Sequence, residues 1–470
     1  MLKYRLPFYL STAFMLFFVG PFSAIAENTA PDRPNVLFIA VDDLNDWTGC
    51  LGGHPQALTP NLDALAARGV LFNNAHCAAP ACNPSRAALM TGIRPTTSGV
   101  YTNPQPWRMS PALADAVTLP QHFRASGYRA IGSGKIYHGA FADPDSWNEY
   151  WPSLTQQSPS DPMPENRPLN GHPRPSHFDW GPIPNPTEEM GDSQVADWVI
   201  SQLGQEHDQP LFLACGFFRP HLPWYAPEDF FEPFPLDEIV LPDVNENDLD
   251  DIPQAGRNMA KPTGDHKFVT DSGEWKKAVQ GYLASIYFMD SQLGRVMTAL
   301  DAREDSDEWV IVLWSDHGWH LGEKLHWRKF ALWEEATHNV MLWVAPGESA
   351  SGGVCSEPAS LMDVYPTLID LCDLPGNTAI EGSSLLPQIQ DPETPRDFPA
   401  MTTHGRGNHS LRTTRWRYIR YANGSEELYD RDADPMEWTN LAGDSEYADI
   451  LREMAEFLPE KEAVSIPQRR

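Results

Sequence analysis

Cysteine is scarce, with six in 470 residues, too few for a fold held together by disulfides. Positive charge is also in short supply. Lys and Arg number 34 against 64 Asp and Glu, a formal net charge of −30. Such a surface disfavours nucleic acid and anionic membranes as partners. It leaves room for an anionic substrate wherever cationic side chains gather locally. Beyond residue 25 no apolar run reaches the length of a membrane span. Internal repeats and low-complexity tracts are missing as well. What is present is a chain long enough for one large domain and a smaller one.

The N-terminus opens with the basic Met1-Leu-Lys-Tyr-Arg5, followed by an apolar stretch to Ile25 and the small-x-small site Ala24-Ile-Ala26. This pattern reads as a secretory signal peptide over 1–26. The expectation is an exported protein, periplasmic or secreted (lysosomal in a eukaryotic host), with no membrane attachment after cleavage. Short apolar runs at Val36–Val41, Leu211–Cys215, Trp309–Trp314 and Val340–Val344, with a weaker one at Tyr128–Ile131, read as buried strands. Amphipathic helices lie between them, one opening at Thr59-Pro60 and one spanning Lys276–Ala302. Strands alternating with helices predict α/β architecture, with a large, mainly parallel sheet flanked by helices. The stretches Asp143–Thr187 and Phe230–Lys267 are crowded with proline and break this alternation. Loops of that length are expected to form a lid over a site. A catalytic domain is expected over 27–394. Over 395–470 we expect a small C-terminal subdomain, with strands at Ser410–Tyr421 and Glu427–Tyr429 and a helix at Tyr447–Phe457.

In doubly wound sheets, ligands bind beyond the carboxyl ends of the strands. Here those ends are chemically loaded: Asp42-Asp43, Ser315-Asp316-His317, Lys135 with His138, and Arg219-Pro-His221. Three crowded carboxylates call for a hard cation with oxygen ligands, Ca²⁺ or Mg²⁺. Cys82 precedes Pro84, which suits the first position of a helix ending at Gly92, so Asn83 is the expected N-cap. That environment favours anions, and Arg86 one turn in adds fixed positive charge. The cysteine could serve as a nucleophile, as a zinc ligand with His76 and Cys77, as half of a disulfide with Cys77, or as a buried apolar residue.

The stretch Cys82-Asn-Pro-Ser-Arg-Ala-Ala-Leu-Met-Thr-Gly92 matches C-x-P-S-R-x-x-L-x-T-G at every specified position. In this, and in Arg33–Asp43, Gly134–His138, Phe218–Pro223, Ser315–Glu323 and Trp327–Lys329, the chain resembles the type I, formylglycine-dependent sulfatases, and among them the iduronate-2-sulfatase-like group. The resemblance implies an alkaline-phosphatase-like sandwich. It implies that a formylglycine-generating or equivalent maturation enzyme converts Cys82 to formylglycine. It further implies one Ca²⁺ per chain held by Asp42, Asp43, Asp316, His317 and the modified Cys82. Catalytic roles would then fall to residue 82 as nucleophile and to Arg86, Lys135, His138, His221 and Lys329.

The alcohol portion of the substrate is less constrained. Positive charge and stacking surface at Trp319, His320, Lys324, Arg328 and Arg406, with His326, Trp327, His409 and Arg412 beside them, suit a sulfated sugar. The expected function is hydrolysis of O-sulfate esters on sulfated polysaccharides or oligosaccharides. Iduronate 2-sulfate is one candidate, alongside sulfated algal or other marine polysaccharides such as ulvan. Two other classes remain: a phosphodiesterase or phosphonate hydrolase of the same superfamily, and a non-catalytic sugar-binding protein.

Overall fold

An apolar run that carries no charge can be buried on both faces, and Val36–Val41 is enclosed along its whole length. In the computed structural model, which describes residues 33–173 and 177–469 together with Met1 and Pro7, this strand lies inside an eight-stranded sheet. The expected signal segment falls, but for Met1 and Pro7, outside the described residues. In chain order the strands are β1 (Val36–Val41), β2 (Val70–Phe72), β3 (Arg129–Gly134), β4 (Glu149–Trp151), β5 (Leu211–Phe217), β6 (Val310–Ser315), β7 (Met341–Val344) and β8 (Gly353–Cys355). Their order across the sheet is β8-β2-β7-β6-β1-β5-β3-β4. Only β7 runs against its neighbours. The proline-rich stretch supplies β4, which takes the sheet edge where a strand needs fewest partners.

Alternation along β1 divides the core. Leu37, Ile39 and Val41 face the helices α4 (Gly191–Leu203) and α5 (Trp275–Asp301), where Val195, Val199, Val279 and Leu283 meet them. Val36, Phe38 and Ala40 face α2 (Cys82–Thr91), α3 (Leu119–Ala125) and α6 (Val364–Leu371). The helix α1 (Pro60–Ala66) starts at its proline, as the sequence suggests. The start of α2 differs from expectation. Cys82 is its first residue and Ala81, in extended backbone, its N-cap, so Cys82 belongs to the helix's first turn. Asn83 instead uses its side-chain amide to grip the carbonyls of Thr102 and Gln105.

The C-terminal sheet holds β9 (Ala400–Thr403), β10 (His409–Arg412), β11 (Trp416–Arg420) and β12 (Glu426–Asp430), paired antiparallel in that order. The single strand expected over Ser410–Tyr421 is thus two strands joined by a turn, and β9 carried no clear signal. One face of this sheet packs on α7 (Ala448–Ala455) through Leu411, Tyr418, Leu428 and Met454. On its other face Ile419 and Tyr429 meet Leu332 and Trp333, with Leu249, Ile252 and Ala260 filling the seam. The stretch Phe230–Lys267 is therefore packing material and not a lid. No helix among the described residues is long and apolar enough to cross a membrane.

Candidate active site

Register brings the loaded strand ends together. Val41 of β1 lies level with Phe217 of β5 and Ser315 of β6, so Asp42 and Asp316 leave the sheet side by side. Gly134 of β3 lies level with Gly216 of β5. A Cβ at Gly134 would collide with the Gly216 carbonyl at 1.9 Å, and its φ of +84° is one that glycine adopts freely. That close approach delivers Lys135 to the same edge.

Asp43 occupies the left-handed region at φ 59°, which turns its side chain back toward Asp42 and Asp316. The conformation is strained for a non-glycine residue and is held through both of its backbone polar groups. Its amide donates to Asp316 Oδ1 at 3.1 Å. Its carbonyl accepts the Tyr282 hydroxyl of α5 at 2.7 Å, and that hydroxyl also accepts the Asn45 amide at 3.0 Å. On the far side, Ser85 of α2 donates to the Asp316 carbonyl at 2.6 Å.

Donor atoms of Asp42, Asp43, Cys82, Asp316 and His317 all lie within 4.8 Å of one another, and all five residues are buried. Three observations fit this cluster to a hard cation. Asp43 Oδ2 is buried without a hydrogen-bond partner among the described residues. Burial and the mutual repulsion of the carboxylates push Asp43 up to about 7 and Asp316 up to about 6, strain that a divalent ion relieves. The His317 Nδ1 lies 3.0 Å from the Gly318 carbonyl, so Nδ1 carries the proton. The Nε2 lone pair then faces Asp43 at 3.4 Å and Asp316 at 3.5 Å.

The cations around residue 82 divide by role. Arg86 is wholly buried; its Nε donates to Asp316 at 2.8 Å and its Nη2 to Asp42 at 3.2 Å. It also donates to the carbonyl of Ile136. Arg86 therefore fixes two carboxylates in place and does not face the cleft. Lys329 lies 2.6 Å from Asp43 and 2.9 Å from Cys82 Sγ. Lys135 pairs with Asp42 and stands 3.8 Å from the same sulfur. Burial pushes the Cys82 thiol well up, so the unmodified side chain is a poor nucleophile. All six cysteines are free thiols. His76 Nε2 donates to Asn74 Oδ1 at 2.9 Å, and no metal-type grouping among the described residues includes it.

The cluster opens into a cleft of about 850 Å³ lined by Lys135, His138, His221, Trp319, Arg328 and Lys329, with Asn103, Phe218 and Phe330. Thr155–Asp161 and Met163 form one wall, so part of the first proline-rich stretch does cover the site. His221 Nδ1 lies 2.6 Å from the Leu222 carbonyl, which leaves Nε2 facing Asp43 at 3.7 Å. Burial, with Lys135 beside it, pushes His138 down to about 3, a neutral imidazole.

Three expected substrate contacts lie elsewhere. His320 is fully buried against the Glu323 carbonyl. Lys324 is buried, paired with Asp248 at 2.7 Å and set over the rings of Trp333 and Tyr429. Arg406 is exposed and donates to the Glu462 carbonyl, where it ties down the C-terminal tail. Of their neighbours, His326 bridges the Ala260 and Lys329 carbonyls and Trp327 stacks on Trp180. His409 and Arg412 pair with Glu462 and Glu334. The backbone explains these differences: positive φ at Lys324, Leu325, Arg328 and Phe330 reverses the chain repeatedly, so adjacent residues point apart. Asn103 and Tyr282, and His177, which also lines the cleft, escaped the sequence reading, because an isolated polar residue in a loop or an apolar helix carries no motif.

The family model described as Sulfatase matches residues 34–374, and the N-sulphoglucosamine sulphohydrolase C-terminal model matches 322–463. The chain is similar to a protein named Sulfatase from Formosa agariphila, at 38% identity over 92% of this chain and 87% of that one. It is 28% identical to human iduronate 2-sulfatase, over 92% of this chain and 95% of that enzyme. Among solved structures, the phosphonate monoester hydrolase of Agrobacterium radiobacter matches with a TM-score of 0.71 at 26% identity, over 90% and 94% of the two chains. A protein solved with its substrate D-glucosamine-2-N,6-O-disulfate matches with a TM-score of 0.72 at 20% identity, over 90% and 96%, a likeness of fold. The fold is accordingly alkaline-phosphatase-like. The chain belongs to the sulfatase family and is a sulfuric ester hydrolase.

Proposed function

We propose that this chain is an exported enzyme that removes O-sulfate groups from the sugars of sulfated polysaccharides or oligosaccharides, in the manner of iduronate 2-sulfatase. One observation carries the reading. Two lysines bracket residue 82 above a buried carboxylate cluster, at the end of a cleft large enough for a sugar. Relatives named iduronate 2-sulfatase and ulvan-active sulfatase support a saccharide substrate.

Asp42, Asp43, Asp316 and His317 would hold Ca²⁺, with residue 82 converted to formylglycine. When bound and formed, these groups would supply positive charge against the sulfate oxygens and an attacking oxygen from the aldehyde hydrate. The remaining work falls to the chain's own side chains. Lys135 and Lys329 bind the sulfate head and neutralise its oxygens at the buried end of the cleft, where fixed charge acts most strongly. Arg86 positions Asp42 and Asp316. His138, held neutral on the cleft wall, would hydrogen-bond the formylglycine at residue 82. His221, its tautomer set by the Leu222 carbonyl, presents Nε2 to hold or pass a proton at the ester oxygen.

Trypsin releases residues 69–86 as one peptide containing both Cys77 and Cys82, so Cys77 is an internal control. After alkylation of exported protein, the expected mass corresponds to formylglycine at 82 and alkylated Cys77. Alkylation at both positions, even with a maturation enzyme co-expressed, sinks the aldehyde mechanism. A second reading, phosphonate monoester hydrolysis, draws on the Agrobacterium radiobacter likeness. Turnover of matched aryl sulfate and aryl phosphonate esters separates the two.

A further inference from the structure

A second groove, of about 390 Å³, lies at the other end of the helix that carries residue 82. Cys82 opens α2 and Gly92 caps its far end with φ +71°. Ten residues at the α-helical rise put the two ends about 15 Å apart. Arg94, two residues past that cap, lines the groove together with Arg396 and Lys461. Three cations in one groove are notable on a chain with 64 acidic residues and 34 basic ones. The single acid among the lining residues is Asp363, which is buried and already engaged by Arg396 at 2.9 Å and by the amides of Ser360 and Ser383.

Two of the three cations are available, since Arg396 is paired with Asp363 and set over the Phe398 ring at 4.7 Å. Glu381, the carboxylate nearest Arg94 in the hydrogen-bond pattern, is taken up by the Arg94 amide and the Thr97 hydroxyl. The Arg94 guanidinium itself makes no hydrogen bond or ion pair among the described residues, nor does the exposed Lys461 ammonium. The Arg396 side chain is only 4% exposed, and its Nε has no acceptor among the described residues. Apolar surface completes the groove. Phe398 and Phe457 also line it, at 41% and 43% exposure, although burial is the rule for phenylalanine. Arginine forks recognise sulfate and carboxylate oxygens in pairs. Exposed aromatic faces accept the C–H face of a pyranose ring.

We propose that this groove is an accessory binding site for a sulfated stretch of the polysaccharide, holding the chain while another unit occupies the catalytic cleft. The proposal rests on the sugar-sulfatase reading for its purpose and on the groove's own residues for its chemistry. Its volume suits a ligand of about one or two sugar units.

The test uses the full exported enzyme, wild type and two variants, Arg94→Gln/Lys461→Gln, at a half-buried and an exposed position, and Phe398→Ser/Phe457→Ser, at two exposed ones. In affinity electrophoresis through gels containing heparin, both variants should bind at least about 5-fold more weakly than wild type, with no difference in gels containing neutral dextran. Equal retardation by heparin overturns the proposal. In turnover assays, KM for a sulfated polysaccharide should rise by a similar factor with kcat unchanged, while kcat/KM for a disaccharide cut from it stays constant. An equal loss on polymer and disaccharide also overturns it. A wild type that binds heparin through these residues yet desulfates no sugar refutes the substrate reading and leaves the groove a glycan-binding site.

Discussion

At the scale of the residue, Asp43 combines two demands that seldom coincide, a left-handed backbone and a carboxylate aimed into a cluster of like charge. Asparagine tolerates the same backbone region, so Asp43→Asn separates the two by keeping the turn and removing the charge. Activity toward any sulfate ester should fall by about 10²–10³-fold. The variant should fold, but its bound calcium, measured by atomic emission, should drop below one per chain. The wild type adds a second readout. An ion that binds only the folded state raises Tm by mass action, so chelation should lower the wild-type Tm and calcium should restore it. In Asp43→Asn the melting curve should be indifferent to chelator. A variant that keeps a chelator-sensitive Tm would show that Asp43 is not a ligand.

Elements matter here through their ends. The convergence of Asp42, Lys135, Phe218 and Asp316 follows from four adjacent strands stopping at about one level, and this was legible because each apolar run led within a few residues to a charged one, Asp42, Lys135, Arg219 or Asp316. The cysteine motif was legible for the same reason: its spacing is local. Less local relationships left no trace. Tyr282 sits mid-helix in α5 among Val279, Leu283 and Ile286, and reads as core. Yet its hydroxyl spans more than two hundred residues to clamp the Asp43 carbonyl and the Asn45 amide. Likewise His320 and Lys324 share the motif-bearing turn, but positive φ angles downstream send them away from the cleft. Tyr282→Phe tests the clamp. Leaving a buried carbonyl and amide without their partner costs about 1–3 kcal/mol, measurable as a lower urea midpoint at unchanged m. If the clamp also holds the strained turn, kcat should fall several-fold with KM unchanged. Lost stability with full kcat would make the hydroxyl structural only.

For the whole molecule, the connection between the two sheets is ionic at its centre. Glu334 follows Trp333 in the seam and meets Arg417 of β11, Arg412 of β10 at 3.4 Å and Arg431 at 3.2 Å. Its amide donates to Glu437, which pairs with Arg417 at 2.6 Å. Burial pushes Glu334 up, but Arg431, Arg417 and Arg412 outweigh it and hold the carboxyl well below its ordinary 4.5. A carboxyl depressed in the folded state contributes stability that is complete above the unfolded pKa and is lost as pH falls through the folded one. Glu334→Gln leaves three arginines facing a neutral amide, and breaking a buried pair in this way costs about 3–5 kcal/mol. That is a large share of the 5–15 kcal/mol typical of a domain. Urea unfolding at pH 7 should therefore separate wild type from variant by about that amount. The gap should hold at pH 6 and narrow below pH 4.5, as the wild type loses what the variant never had. A gap independent of pH would mean that shape rather than charge joins the sheets. The seam also reaches the site, because Gly318, whose carbonyl sets the tautomer of His317, donates its amide to Ala336 two residues after Glu334. The same substitution should thus weaken calcium binding at the proposed site at pH 7 before the protein unfolds, linking the C-terminal sheet to the carboxylate cluster.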